Sequence, residues 1–303
     1  VIRNKVEKIV KLIPTEERKK LWGMGIKIGR YHIYLPKMLK PKAVEFRITL
    51  WKIFHNLSDK NKIPKSILEL DDPIFEFAKR IIDATNEYAI AYKPNIAFFE
   101  AYGANGFKSL NKIANYLNQN YPEIFTIADA KRGDIGNTSK MYANAFLKEL
   151  NFDSITVSPY MGYDSVEPFL SIEDKLVFLL TLTSNNGSND FQELDIDDNN
   201  KLYQKVIEIS KTWKNSSRIM YVVGAKNTKE ILKIRRMVPN SYLLIPGVGA
   251  QGGNMTEICK YGLDKNLKLI INSTRSIIYA SVNDDFDQSA AYEAKKIQVE
   301  MEK

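Results

Sequence analysis

Apolar segments of strand length recur along the chain, and each is bounded by turn-forming residues. They predict seven β-strands, over residues 88–99, 125–131, 154–160, 176–183, 219–225, 242–248 and 267–273. Segments with the apolar spacing of an amphipathic helix precede or separate them, over residues 73–85, 107–116, 138–150, 202–213, 229–237 and 255–261. Because strands and helices alternate and the strands are apolar almost throughout, the pattern predicts a parallel sheet with helices on both faces.

An eighth strand would close this sheet into a (β/α)₈ TIM barrel. Residues 46–54 are the best candidate, since a helix starts soon afterwards, with Asp72 suited to the N-cap and Pro73 to the first turn. A doubly wound open sheet also fits the alternation. We favour the barrel, because charged and glycine-rich motifs follow strand ends around the whole series. The predicted organisation is a barrel of residues 46–303, with a basic N-terminal extension of residues 1–45 packed on it.

The composition limits which residue types could carry out catalysis. A chain of 303 residues with 44% hydrophobic residues is long enough to bury a large core. Its single cysteine, Cys259, cannot form an internal disulfide, and His32 and His55 are too few for a histidine-rich metal site or a histidine-based triad. Catalysis would therefore depend on carboxylates, lysines and backbone groups.

No segment reaches the roughly 20 apolar residues that span a bilayer, so we expect a soluble, cytoplasmic protein without membrane partners.

The net charge of +8 raises the possibility of nucleic-acid binding. The lysines, however, are scattered among asparagine and acidic residues, and only residues 1–67 are plainly basic. This distribution favours a solvated, lysine-rich surface, and we expect no nucleic-acid partner.

Charged side chains gather at the ends of two predicted neighbouring strands. Asp129 and Lys131 point to the same side of a strand, and Asp134 follows in the loop. Lys93 ends the preceding strand, and adjacent strands lie about 5 Å apart, so it can flank Asp129. A structural ion pair closing the barrel would explain the charges. We favour a site, because alternating lysines and carboxylates can bind hydroxyls, supply a general acid and hold a fixed negative charge beside a substrate.

A phosphate site is predicted where the last two strands end, the usual position in such barrels. Residues 245–253, which include Pro246 and Gln251, form a glycine-rich loop whose N–H groups can approach an anion closely. Arg275 follows the last strand and has a guanidinium suited to bidentate phosphate binding. Alone, the loop could be only a tight turn; the arginine one strand later favours phosphate.

These motifs resemble the orotidine 5′-monophosphate decarboxylase family, particularly its prokaryotic-type branch. The resemblance extends over residues 63–281, and its most specific part is the string Asp-x-Lys-x-x-Asp-Ile-Gly-Asn-Thr. Further matching stretches are residues 72–85, 92–103, 159–169 and 245–253.

The resemblance implies decarboxylation of orotidine 5′-monophosphate to UMP, the last step of de novo pyrimidine synthesis, without a metal or cofactor. Lys93 would bind the ribose, Asp129 would lie beside the substrate carboxylate, and Lys131 would donate the proton. Family members are homodimers that share active sites. Asp134, a fourth catalytic residue, and Thr138 would act in the neighbouring site. The other expected binding residues are Ile135 and Ser184 at the pyrimidine, and Pro246, Gln251 and Arg275 at the phosphate end.

The chain departs from the family pattern before residue 63. No Gly-Leu-Asp-Pro turn, whose aspartate binds the ribose in the family, is present there, and Asp59 is the nearest substitute. A smaller departure is Asn186, where the family commonly has proline. Two alternative functions stay open. One is a non-catalytic UMP-binding paralogue, and the other is a metal-dependent sugar-phosphate decarboxylase of the same superfamily. The presence of a second lysine, Lys93, disfavours the metal-dependent enzyme.

Overall fold

A computed structural model describes most of the chain from Ile63 onward. The described ranges are 26–28, 31–33, 48–50, 63–197, 200–225, 228–247, 255–263, 268–273 and 275–301. Up to residue 50, and at Arg275, the description extends to the backbone alone. The predicted N-terminal extension, with Asp59 and His55 beyond it, thus lies outside the described residues, apart from a short antiparallel pair, Ile26–Ile28 with Tyr31–Ile33.

Eight parallel strands of the described residues form a closed barrel. They are β1 (Ile48–Leu50), β2 (Ala89–Tyr92), β3 (Phe125–Arg132), β4 (Ser154–Val157), β5 (Leu176–Leu182), β6 (Ile219–Val223), β7 (Leu243–Pro246) and β8 (Leu269–Ser273). The barrel closes through β1, in which Thr49 pairs with Asn272 of β8 and with Ala91 of β2. This confirms the predicted barrel and its eighth strand, and it excludes the doubly wound sheet.

Eight longer helices follow the strands or lead into the barrel within the described ranges. They are α1 (Pro73–Thr85), α2 (Gly103–Asn120), α3 (Gly136–Asn144), α4 (Tyr163–Leu170), α5 (Leu202–Thr212), α6 (Thr228–Met237), α7 (Met255–Gly262) and α8 (Phe286–Met301). The predicted start of α1 is confirmed, because the Asp72 carboxylate accepts a hydrogen bond from Phe75 N at 3.1 Å and Pro73 is the first helical residue. Among the described helices, none is both long and apolar enough to cross a membrane.

The structure differs from the predicted elements in several places. The strand predicted over residues 154–160 ends at Val157, and the helix predicted over residues 138–150 is α-helical only as far as Asn144. The strand predicted over residues 88–99 ends at Tyr92, because Asn95 caps a short helix, Ile96–Glu100, by accepting from Ala97 N. Helix α4 was not predicted, since it is short and contains Pro168, normally a helix breaker. Helix α8 was also missed; its apolar face is interrupted by small and charged residues.

Two apolar layers hold the barrel together and define where its site can lie. Side chains between sheet and helices form the large core, while a smaller cluster, including Ala91, Ile127, Phe178 and Met220, fills the barrel interior. Because side chains alternate along a strand, residues that continue the inner face past this cluster emerge at the carboxyl end of the barrel. That end is where the predicted polar residues follow the strands.

Candidate active site

Lys93 and Asp129 reach the barrel mouth as continuations of the inner face. Ala91 and Ile127 belong to the interior cluster, and Lys93 and Asp129 each follow two residues later. The backbones of the two segments also meet, since Asp129 N donates to Pro94 O at 2.9 Å. Strand alternation thus carries Lys93 and Asp129 to one place, and Lys93 flanks Asp129 as the spacing of adjacent strands predicted.

A single carboxylate holds two ammonium groups. Lys93 Nζ lies 2.5 Å from Asp129 Oδ2, and Lys131 Nζ lies 2.5 Å from Asp129 Oδ1. Lys93 is 4% exposed and Asp129 7%, whereas the Lys131 side chain is 49% exposed. The buried pair therefore anchors a third charge that faces the open end of the barrel.

A bulge in β3 creates the position of Lys131. Ala128 pairs with Ile155 and Arg132 pairs with Val157, so Asp129, Ala130 and Lys131 lie opposite the one intervening residue of β4. Within the bulge Lys131 has φ of +49°, a left-handed conformation that costs a residue with a Cβ about 1–2 kcal/mol. Its backbone is held there by a hydrogen bond from Lys131 N to Thr156 Oγ1 at 2.9 Å.

The electrostatics of the group favour an ionised aspartate. Burial raises the pKa of Asp129, but the charges and hydrogen bonds of Lys93 and Lys131 together outweigh burial and hold that pKa well below its ordinary value of 3.8. Burial also lowers the pKa of Lys93, a change that the Asp129 charge opposes and the Lys131 charge reinforces. Two ammonium groups and the one carboxylate between them together carry a net charge of +1.

Arg132 packs on the outer side of the same bulge and contacts the segments around it. It forms an ion pair with Glu100, donates from Nη1 to Ala130 O at 3.0 Å, and lies over the rings of Tyr142 and Phe146 at 5.1 and 5.2 Å. These contacts connect the helix after β2, the end of β3 and the helical segment after it. Sequence analysis did not single out Arg132 or Thr156; for Thr156, the alternation of polar and apolar residues along 154–157 was an available signal.

The next predicted residues lie at the start of α3. Asp134 is partly buried and its Oδ1 accepts from Ile135 N at 2.7 Å; among the described residues of this one chain it makes no ion pair with Lys131. Ile135 and Thr138 are exposed. The structure thus does not bring these three residues into the lysine and aspartate group of their own chain.

The remaining predicted residues follow strands on the far side of the same barrel end. Ser184 follows β5 and lies against Gly224 after β6, where a Cβ would come within 2.7 Å of Ser184 N, so only glycine fits. Pro246 ends β7, paired with Asn272. Arg275 opens the short helix Arg275–Ile278, and Gln251 lies outside the described residues.

In the described part of the chain, no group of three or more His, Cys, Asp or Glu side chains is placed to hold a metal ion. The side chains that converge on the barrel mouth are lysines around one carboxylate.

The chain is similar to known proteins over most of its described length. Residues 64–286 match the model of the Orotidine 5′-phosphate decarboxylase / HUMPS family. The chain is 59% identical to orotidine 5′-phosphate decarboxylase of Flavobacterium johnsoniae, over 80% of this chain and 89% of that one.

Solved structures show the same similarity. Leishmania donovani OMP decarboxylase is 36% identical with a TM-score of 0.65, over 74% of this chain and 87% of that one. Leishmania donovani UMP synthase is 38% identical with a TM-score of 0.69, over 75% of this chain. The chain spans only 49% of that synthase, so the similarity concerns about half of the larger protein.

Proposed function

This chain belongs to the orotidine 5′-phosphate decarboxylase / HUMPS family, and from that premise we propose that it is a carboxy-lyase converting orotidine 5′-monophosphate to UMP and CO₂. The observation that carries the proposal is the Lys131 ammonium, held 2.5 Å from a buried carboxylate at the barrel mouth. The curated relatives named for this activity support it, and no finding favours the two alternative functions.

The proposed chemistry separates bond breaking from proton transfer. The bond between C6 of the pyrimidine and its carboxyl carbon breaks, CO₂ leaves, and the electron pair stays on C6. The positive charge of Lys131 stabilises that carbanion, and its ammonium then gives C6 a proton. The lysine is reprotonated from water. Because the charge is stabilised by a fixed ammonium, the proposal needs no cofactor to accept electrons.

Asp129 and Lys93 complete the proposed group. Asp129 would stand beside the substrate carboxylate and orient Lys131, and Lys93 would bind the ribose. Their burial supports these roles, since charges exert stronger forces where water is excluded. The single cysteine is consistent with a reducing, cytoplasmic compartment, which we retain as part of the proposal.

The decisive experiment is a decarboxylation assay. Purified protein is mixed with orotidine 5′-monophosphate, the loss of substrate absorbance is followed, and the product is identified as UMP. A parallel sample contains a chelator. Binding of UMP without any turnover would support the non-catalytic paralogue, and turnover of a sugar phosphate that the chelator abolishes would support the metal-dependent relative.

We propose that the phosphate binds near Pro246, Gln251 and Arg275, and that Ser184 contacts the pyrimidine. Arg275→Ala is expected to weaken UMP binding by about 10- to 100-fold, because it removes a charge-assisted contact to phosphate. Calorimetric titration with UMP and with uridine checks this, since uridine lacks the phosphate and its affinity should stay unchanged. Arg236→Ala, which removes an exposed arginine from α6, is the control. An Arg275→Ala protein with wild-type UMP affinity would contradict the assignment.

We further propose a homodimer in which Asp134 and Thr138 enter the neighbouring site, and we propose that Ile135 lines the pyrimidine pocket. Ile135, which directly precedes α3, is 55% exposed, and Met141 of α3 and Met161 of the next loop are also exposed. Met161 lies against Gly133, so these apolar side chains belong to adjoining loops and helices. An apolar surface of this kind beside a site supports a protein partner, here a second copy of the chain.

Mixing two inactive variants tests this sharing. Lys131→Ala and Asp134→Ala chains, combined at equal amounts and allowed to exchange subunits, should recover about a quarter of the wild-type sites, because half the dimers are mixed and each of those has one intact site. Turnover after mixing is compared with each variant alone. If subunit exchange is demonstrated by tagged chains and turnover does not return, the shared site is wrong.

A further inference from the structure

Thr156 is a buried hydroxyl at the centre of the charged group. Its neighbours Ile155 and Val157 pack in the outer core, so Thr156 faces the barrel interior, where it is 1% exposed. The predicted reaction assigns it no task, and it is the one residue of β4 opposite the β3 bulge.

Both hydrogen-bonding capacities of this hydroxyl are used within the site. Thr156 Oγ1 accepts from Lys131 N at 2.9 Å and donates to Asp129 Oδ1 at 3.1 Å. The same Oδ1 accepts from Lys131 Nζ at 2.5 Å. Thr156 Oγ1 therefore holds both the backbone of Lys131 and the Asp129 carboxylate that binds the Lys131 ammonium. These hydrogen bonds close a small ring.

Because of the bulge, the backbone of Lys131 needs a hydrogen-bond partner other than the backbone of β4. Three residues, 129 to 131, oppose a single residue of β4, so ordinary strand pairing cannot fix the backbone of Lys131. Lys131 also has a left-handed φ of +49°, which the surroundings must maintain. The Thr156 hydroxyl supplies the acceptor that the adjacent strand backbone lacks at this point.

We propose that Thr156 is a positioning residue for decarboxylation, which holds the Lys131 ammonium and the Asp129 carboxylate in their reactive arrangement. The inference rests on the proposed function and extends it to a residue that acts through its hydrogen bonds to Lys131 and Asp129. Because Thr156 acts on the proton donor and its carboxylate, its loss affects the chemical step more than binding of the nucleotide.

Thr156→Val tests the hydroxyl, since valine keeps the shape and removes both hydrogen bonds. Its kcat is expected to fall on the order of 10- to 100-fold, with UMP affinity within about threefold of wild type. Thr156→Ser keeps the hydroxyl and should retain kcat within about threefold. Thr181→Val is the matched control: Thr181 is a buried barrel threonine whose hydroxyl donates to a backbone carbonyl, Val222 O, at 2.7 Å, and its kcat should stay near wild type.

The outcomes separate the two proposals. A wild-type protein that does not decarboxylate orotidine 5′-monophosphate contradicts the proposed function itself. With an active wild type, unchanged kcat in a folded Thr156→Val protein overturns the role of Thr156. So does a Thr156→Ser protein as impaired as Thr156→Val, or a Thr156→Val protein that loses UMP affinity in proportion to kcat. If thermal melting shows that Thr156→Val does not fold, Thr156→Ala is tested by the same criteria. If neither variant folds, and Thr156→Ser has wild-type stability but not wild-type kcat, the proposal that Thr156 positions the site is also overturned.

Discussion

Replacing Lys131 with alanine is expected to lower kcat by about 10²- to 10⁴-fold, the usual contribution of a positioned general acid. The reason is that Lys131 is the ammonium at the open end of the group, paired with Asp129 and half exposed toward the barrel mouth. Affinity for UMP should change little, because the product has already received its proton. Steady-state turnover and titration with UMP measure the two quantities separately.

A matched control exists on the outer surface. Lys205 has the same 49% side-chain exposure and also pairs with a carboxylate, that of Glu208. Lys205→Ala should leave kcat unchanged, so general effects of losing a lysine are accounted for. Lys131→Arg keeps a positive charge but not a proton that it can give up, since a guanidinium stays protonated. It is expected to lose turnover as well, and a Lys131→Ala protein retaining a tenth of wild-type kcat would refute the role of this lysine as acid.

Replacing Asp129 with asparagine is expected to cost both turnover and stability. The amide cannot neutralise Lys93, which is 4% exposed, and leaving one partner of a buried ion pair without its opposite charge typically lowers the free energy of unfolding by about 3–5 kcal/mol. Turnover should fall because Lys131 loses the carboxylate that orients it. Urea unfolding at pH 7 and the decarboxylation assay measure the two effects.

The pH dependence of this stability difference has a definite sign. The folded-state pKa of Asp129 lies below its ordinary value of 3.8, despite burial, because of the two lysines. Its contribution is therefore fully present above the ordinary aspartate range and is lost as the pH falls toward the folded-state pKa. The gap between wild type and Asp129→Asn should be full at pH 7 and shrink in acid.

Asp287→Asn is the control for the stability measurement. Asp287 pairs with Arg80 at 2.8 Å, but both side chains are partly exposed, and such pairs contribute about 0–1 kcal/mol. A small loss is expected there. If Asp129→Asn unfolded with a free energy within about 1 kcal/mol of wild type at pH 7, the buried pair would not have the strength proposed here.

Much of the fold could be predicted from local pattern, and the failures have local causes. The apolar strands, the alternation with helices and the Asp72 cap of α1 were readable because each depends on residues close in sequence. The end of β2 was misjudged because Pro94 and Asn95 terminate the strand inside an apolar run. The closing strand β1 could be placed only within residues 46–54, since so short a strand is defined by its neighbours in the barrel.

At the site, local sequence specifies which charges reach the barrel mouth, because strand alternation places Asp129 two residues beyond Ile127 and Lys93 two beyond Ala91. The way in which these charges meet depends on contacts between strands. The bulge in β3, the left-handed backbone of Lys131 and the hydroxyl of Thr156 all depend on pairing with β4, some 25 residues away in the chain. Hydrogen bonds between strands arise only when the barrel has closed, so no local pattern specifies them.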